Sequence, residues 1–576
     1  MLRHLIPVVI LPVVLSVAQQ PEAPPSFKTQ TELVLVSAIV QDKHGEHVSG
    51  LTKENFKLLE NGKPQEIRIF DEVKTTAGSV SAAAPSAPNE FSNRATAETS
   101  KPHRLTIIAF DLLNMPTLKQ ADARKALWDL LAEAANSMEP TAVYTIGTSG
   151  VQVVSDFTTD PHTLAEALKH LKSGRKVVAD LKLEATPHED VESDQYTADS
   201  RIQLSGSGGA GRMTAILQQM ETLQKEIELN TTSQLRRYVV LDTLSGLRQI
   251  AQACALIPGR KSLVWVTGGI PFDVSPTDMS IMGSPFPGGR RDWTDVYAEY
   301  LRTWRALNDA QVVLYPVDVR GMTSPTLVDP SIMNQGERLD GRAGAYQDRQ
   351  STSADYAFAD ATGGRAFYGS SDLKKGFEEA VRDSDNYYVL GYYVPADSKA
   401  KSGWRTISVK SRAGLEIRAR SGYFYNPSHA DLQMTRQRDL DGALYSPIDL
   451  TAVTFTARWK QVIAEQPTGA RHVGFELVLP ASFAAIDEAD NNHMAIDILA
   501  LAKTPDGKVV GKATARTIDG HLNATQLRQV RERGLTYANA LDLPPGDYVV
   551  RFVVRDGLNG RIGSLTAPLK VSVSTP

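Results

Sequence analysis

The residues best placed for chemistry are carboxylates that follow buried strands. An apolar run from Leu105 to Phe110 ends in Asp111, and a helix is predicted to begin soon after it. Asp318 follows a second apolar run, and Asp273 lies several residues beyond a third. In open α/β sheets, ligands bind at the carboxyl ends of the strands. We therefore predict a binding rim at one sheet edge, formed by these acids together with Asn114, Thr117 and Arg320.

Other reactive side chains occur in less suitable surroundings. Ser149 lies in GTSGV, which is not a Gly-x-Ser-x-Gly nucleophile motif and is predicted to form a turn between strands. The triplet at 188–190, His-Glu-Asp, lacks the helix-spaced histidine pair of a zinc enzyme. Cys254 falls on an apolar helix face, which is typical of a buried structural thiol. These features predict that the protein is not an enzyme.

Composition narrows the class of partner. The chain has 576 residues, with 62 Lys and Arg against 66 Asp and Glu, a formal charge of −4. This near balance argues against a nucleic-acid binder with a strong positive field.

The first 18 residues predict export. A basic start precedes an apolar stretch from Leu5 to Val17 that is too short for an ordinary membrane span, and small residues precede a cleavage site after Ala18. We expect a signal peptide, a periplasmic or extracellular protein, and no membrane span in the mature chain. An uncleaved N-terminal anchor is the alternative.

Residues 103–384 alternate apolar strands with amphipathic helices. This pattern predicts an α/β fold with a doubly wound, mostly parallel sheet. One helix is marked by Asp160 as N-cap and Pro161 at its first position. Polar insertions are expected at 177–212 and 320–353, and one long helix over 213–257.

The flanking segments predict β structure. An N-terminal β module at 27–74, with an Asn-Gly hairpin signal, is expected to pair with hairpins at 385–425. Residues 75–102 are predicted to form a flexible linker, and 426–449 a connector. Alternating strands and turn signals over 450–576 predict a C-terminal β-sandwich.

Several phrases of the sequence occur together in a distinctive order. They are VSAIVQDKHGEHVSGLTKENFKLLENGKPQEIRIF, IPGRKSLVWVTGGIPF, LNDAQVVLYPVDVRGM and FADATGGRAFYGSSDLKKGFEEAVRDSDNYYVLGYYVP. Over residues 36–426 the chain resembles the secreted bacterial VWFA-related proteins, which contain a von Willebrand factor type A (VWA) domain. The resemblance implies a VWA-like α/β domain that binds a protein or ligand at the carboxyl edge of its sheet.

The resemblance also implies what has become of the family's metal site. Metal-competent members hold Mg²⁺ through Asp-x-Ser-x-Ser, a loop threonine and an aspartate after the fourth strand. Here Asp111 matches the first position and Thr243 the loop threonine, while the remaining three positions are occupied by Leu113, Met115 and Gly268. Since one carboxylate rarely holds Mg²⁺ against its hydration, we expect no cofactor, with weak Mg²⁺ binding as the less favoured alternative. Asp111 is expected to cap the following backbone instead.

Taken together, these observations predict an exported protein that mediates protein–protein or adhesive binding, with a degenerate metal-ion-dependent adhesion site and an unidentified protein partner. Two alternatives stay open. One is an envelope assembly or chaperone-like factor that docks through the long helix. The other is a secreted hydrolase, which would require Asp111, Asp273 and Asp318 to converge and at least one of their pKa values to be raised.

Overall fold

The structure is a computed structural model. It describes residues 31–75, 89–93, 104–115, 117–133, 139–169, 234–235, 237–270, 294–319, 354–367, 373–395, 403–411, 415–425, 435–465, 469–488 and 490–572. The predicted signal peptide and both predicted insertions lie outside these residues.

The strands and helices follow one another in an order that mixes both types of element. The strands are β1 (Thr31–Gln41), β2 (Phe56–Glu60), β3 (Lys63–Gln65), β4 (Ile69–Lys74), β5 (Glu90–Ser92), β6 (Thr106–Asp111), β7 (Thr141–Gly147), β8 (Gly150–Thr158), β9 (Lys261–Thr267), β10 (Val312–Asp318), β11 (Asn386–Pro395), β12 (Gly403–Ser411), β13 (Glu416–Ala419), β14 (Gly422–Tyr425), β15 (Thr456–Glu465), β16 (Arg471–Leu479), β17 (His493–Lys503), β18 (Val509–His521), β19 (Leu535–Leu543), β20 (Gly546–Asp556) and β21 (Ile562–Val571). The helices are α1 (Thr117–Glu133), α2 (Pro161–Lys169), α3 (237–253), α4 (Thr294–Asp309), α5 (354–362), α6 (Leu373–Asp385), α7 (Arg436–Tyr445) and α8 (Ala524–Arg533), with a 3-10 turn at Lys53–Asn55.

The prediction of a doubly wound, mostly parallel sheet is wrong. In the described residues strand outweighs helix, 46% against 29%, and most strands lie in antiparallel sheets. Only one sheet is mostly parallel, and it has five strands in the order β10-β9-β6-β7-β8. The helix-strand alternation of residues 103–384 sets parallel pairing only where a crossover separates two strands. Wherever a short turn joins them, as between β7 and β8, the neighbours are antiparallel.

The two faces of this five-stranded sheet are both buried, because successive side chains of a strand point to opposite sides. Ile108 packs with Leu127 of α1 and Phe377 of α6 on one face. Trp265 packs in the core on the other face, which contains Trp304 of α4 and most of α3. The sheet is thus held rigidly, and its strand ends are fixed in position.

Segments from both sides of the α/β region share a second β structure. It consists of two four-stranded sheets, β13-β1-β11-β4 and β14-β12-β2-β3. In the first, Val36 of β1 lies opposite Leu390 of β11. Asn61 and Gly62 turn β2 into β3 with positive φ angles of 48° and 76°, conformations that favour these two residue types.

The C-terminal region forms two further four-stranded sheets, β19-β16-β15-β5 and β18-β17-β20-β21, with Phe475 and Phe552 in their shared core. The edge strand β5 comes from the segment predicted to be a linker. It is followed by the buried Asn93, whose Nδ2 donates to the carbonyl oxygens of Leu450 and Val453, both at 2.8 Å. Part of residues 75–102 is therefore built into the C-terminal sheets.

A buried ion network connects the C-terminal sheets to the α/β region. Asp439 lies on α7, within the predicted connector, and its side chain is inaccessible to solvent. It accepts from Arg248 of α3 at 2.9 Å, from Arg555 of β20 at 3.1 Å, and from Arg302 of α4. A carboxylate that binds three guanidinium groups from separate elements fixes those elements relative to one another.

Candidate functional site

Three neighbouring strands end together at the carboxyl edge of the five-stranded sheet. Their last residues are Asp111 of β6, Thr267 of β9 and Asp318 of β10, all buried. Thr267 lies opposite Asp318 in the strand register. Because β9 separates the two acids, their backbones are about 10 Å apart, twice the usual strand spacing.

The carboxylate of Asp111 is saturated by donors. Its Oδ1 accepts the backbone N–H groups of Leu113 at 3.1 Å and Asn114 at 3.2 Å. Its Oδ2 accepts from Asn114 Nδ2 at 2.7 Å and from Thr267 Oγ1 at 2.9 Å. Aspartate side chains commonly hold a turn in this way, by binding the backbone two and three residues ahead.

Asn114 connects this carboxylate to α3. Its Nδ2 donates a second hydrogen bond, 2.8 Å long, to Thr243 Oγ1, and the Thr243 hydroxyl in turn donates to the Val239 carbonyl oxygen at 2.9 Å. The reverse orientation of the amide would place its oxygen against the carboxylate, so the donor assignment follows from the partners. The Asn114 amide thus bridges Thr243 and Asp111.

The hydrogen bonds of Asn114 bear on metal binding at Asp111 and Thr243. A metal ion bound by Asp111 and Thr243 would need lone pairs of both residues directed at it. Here the Asn114 amide donates to both of them. Leu113 and Met115, where the resemblance implies two serines, are buried in the apolar cores. No group of three or more His, Cys, Asp or Glu residues is placed to hold a metal in the described part of the chain.

Burial raises the pKa of Asp111, while its hydrogen bonds with Asn114 and Thr267 and with the backbone N–H groups oppose that rise. These groups, the Asn114 amide, the Thr267 hydroxyl and the two backbone N–H groups, are all neutral hydrogen-bond donors. A carboxyl group held in this way stabilises a turn, and none of its acceptor positions is left to take a proton from a substrate.

The other predicted rim residues are distributed as follows. Asn114 is half-buried in the cluster, and Asp318 is buried, with its backbone N–H donating to the Phe367 carbonyl oxygen at 3.0 Å. Thr117 is the first residue of α1. Asp273 and Arg320 lie outside the described residues.

Sequence reasoning missed Thr267. It ends the buried run KSLVWVT, directly before Gly268, the position where the family resemblance called for an aspartate. The criterion that selected Asp111 and Asp318, a polar residue at the carboxyl end of a buried strand, would also have selected it.

No protein-family model matches the chain, and no curated protein matches it significantly. The function must therefore be argued from the site. In the residues that the structure describes, no helix is both long and apolar enough to cross a membrane.

Proposed function

We propose that this chain is a non-catalytic binding protein that recognises a protein partner at the carboxyl edge of its five-stranded sheet, without a bound metal ion. The observation that carries the proposal is the Asn114 amide, which donates to both Asp111 and Thr243. The polar groups at this edge satisfy one another and, apart from the half-buried Asn114, are buried, so they hold the edge in a fixed shape and do not form a reactive centre.

The same geometry disfavours the hydrolase alternative. A general base needs an acceptor within hydrogen-bond reach of the substrate's proton. The acceptor positions of Asp111 are all used within the chain, and Thr267 stands between Asp111 and Asp318. A pair of cooperating carboxylates is therefore not assembled from these two residues.

The helix-docking alternative is also weakened. The described part of the long predicted helix, α3, buries one face in the core: Val240, Leu244 and Leu247 are completely buried, while Tyr238 is 56% exposed. The apolar face of α3 is therefore occupied by the core and cannot dock on a partner.

The surface proposed for the partner surrounds the cluster. Asp111 lies opposite Ile146 of β7, and the turn just after β7 exposes Thr148 and Ser149. These residues and the half-buried Asn114 form an outer rim, which is where open α/β sheets bind ligands. Since the sequence predicts export, we propose that the partner is a periplasmic or extracellular protein.

Site-specific crosslinking tests this proposal. A photo-crosslinking amino acid replaces Ser149 in one variant and the exposed Lys512, on β18 of the C-terminal region, in the control. We expect a protein adduct from position 149 alone, with a yield unchanged by EDTA or Mg²⁺. Equal adducts from both positions would exclude the edge as the binding surface, and a yield abolished by EDTA would exclude metal-free recognition.

A further inference from the structure

A second polar site lies at the opposite end of the five-stranded sheet. It is a cavity of about 330 Å³ bounded by α4, the end of α3, the turn between β20 and β21, and Phe424 of β14. The last turn of α4 leads directly into the start of β10, so the cavity is at the amino edge of the sheet, away from Asp111. Its volume is at the lower end of the range for small-ligand pockets, which often form between domains.

Two of the four arginines that line this cavity are fully committed to protein carboxylates. Arg248 and Arg302 both bind Glu299 and Asp439. These guanidinium groups are paired with carboxylates inside the protein, and Asp439 also binds Arg555, so Arg248 and Arg302 serve as wall rather than as ligand contacts.

The other two arginines are held loosely. Arg305 and Arg561 share one oxygen of Asp309, at 3.8 Å and 3.5 Å. A charge-assisted hydrogen bond is usually about 2.7–2.9 Å long. With two guanidinium groups on one carboxylate, this side of the cavity carries an excess positive charge and suits an anion.

A buried acceptor without a partner lies in the same cavity wall. Gln252 is 5% exposed, and its Nε2 donates to the Gly560 carbonyl oxygen at 3.2 Å. Its Oε1 has no hydrogen-bond partner in the part of the chain that the structure describes. An unsatisfied buried acceptor is costly, so a ligand N–H that reached it would gain free energy.

The remaining wall is apolar. Ala298, Leu301 and Ala306 lie on the cavity face of α4, opposite Leu256 and Phe424. The small alanine side chains leave the cavity open, and the larger leucine and phenylalanine side chains provide contact area for a short hydrocarbon group.

We infer that this cavity binds a small carboxylate that also carries an amide N–H and a short apolar side chain. The carboxylate would meet Arg305 and Arg561, the N–H would meet Gln252 Oε1, and the side chain would pack against α4. This chemistry occurs both in free N-acylated amino acids and in the C-terminal residue of a peptide. The inference is independent of the function proposed for the Asp111 edge.

Calorimetric titration of the full chain tests the inference. The probes are N-acetyl-L-leucine, its amide N-acetyl-L-leucinamide, and N-acetyl-Gly-Gly-Leu. We expect saturable binding of N-acetyl-L-leucine that is weakened about tenfold or more in the amide, since a charge-assisted hydrogen bond is lost. Equal binding of the tripeptide would identify peptide C termini as the source, and its rejection would identify free acylamino acids; both results retain the site.

Variants locate the binding. Arg305→Gln and Arg561→Gln should each weaken N-acetyl-L-leucine binding by about tenfold, while Arg68→Gln, an exposed arginine paired with Glu66, should not. Ala306→Leu should abolish binding by filling the cavity. Because the cavity joins three parts of the fold, the ligand should also raise the thermal midpoint. No saturable binding, or binding unchanged in the Arg305 and Arg561 variants, would overturn the inference.

Discussion

Replacing Asn114 by alanine removes the amide that joins Asp111 to Thr243. The 2.7 Å bond to the Asp111 carboxylate is charge-assisted and should contribute about 1.5–3 kcal/mol, and the 2.8 Å bond to the Thr243 hydroxyl about 0.5–1.5 kcal/mol. Both acceptors would stay buried after the substitution. We therefore expect Asn114→Ala to lower the free energy of unfolding by about 2–4.5 kcal/mol.

Guanidinium denaturation followed by tryptophan fluorescence measures this loss. The control is Asn539→Ala, which removes an exposed asparagine and should change the free energy of unfolding by no more than about 0.5 kcal/mol. If Asn114→Ala were as mild as this control, the bridging amide would have no structural importance, and the role proposed for Asn114 would be refuted.

A second substitution at the same position tests whether the Asn114 amide takes the place of a metal ion. Asn114→Asp would place two carboxylates against each other where the amide now donates, so it should destabilise more than alanine at neutral pH. A divalent cation could then occupy the gap, and Mg²⁺ or Mn²⁺ should restore part of the lost stability. The wild-type chain should show no such response. A wild-type midpoint that rose with Mg²⁺ would refute our account of this site.

Three further predictions concern buried charges elsewhere and at Asp111. Burial raises the pKa of Asp111 above its ordinary value of 3.8, so folding favours the protonated carboxyl group. The contribution of Asp111 to the free energy of unfolding is therefore largest below pH 3.8 and declines as the pH rises. In urea denaturation, the difference in the free energy of unfolding between wild type and Asp111→Asn should shrink as the pH rises. Burial lowers the pKa of Lys261 to about 8, so the charged ammonium is destabilising in the folded chain at pH 7. Although Lys261 Nζ also donates to the Ile257 carbonyl oxygen, Lys261→Met should raise the free energy of unfolding by on the order of 2–3 kcal/mol at pH 7. That gain should diminish between pH 8 and 10.5, where only the unfolded chain binds the proton; a gain independent of pH would contradict this. Asp439→Asn should cost about 3–5 kcal/mol, because it leaves the buried Arg248 and Arg555 and the part-buried Arg302 underpaired. Asp441→Asn, on the exposed side of the same helix, should be nearly neutral in the same denaturation assay.

Local features of the fold could be predicted from the sequence, because they depend on neighbours in the chain. Asp160 caps α2 by accepting the backbone N–H groups of His162 at 3.0 Å and Thr163 at 3.2 Å. Asn61 and Gly62 form the predicted turn, and Asp111 and Asp318 end their strands. Periodicity and turn chemistry act over a few residues, so they are readable without the tertiary structure.

Only the tertiary structure decided which of these local features meet. Periodicity does not specify strand order, so a pattern of alternating strands and helices suggested a doubly wound sheet, whereas the chain forms one small, mostly parallel sheet beside several antiparallel ones. The hydrogen-bonded cluster of Asp111 and Asn114 shows the same limit: Thr267, which binds Asp111, is 156 residues from it, and Thr243, which binds Asn114, is 129 residues from it. Likewise, Glu90–Ser92 looked like a linker because an edge strand needs no apolar run of its own once a partner strand supplies the hydrogen bonds. Contacts between distant segments arise from packing of the whole chain, and no short stretch of sequence records them.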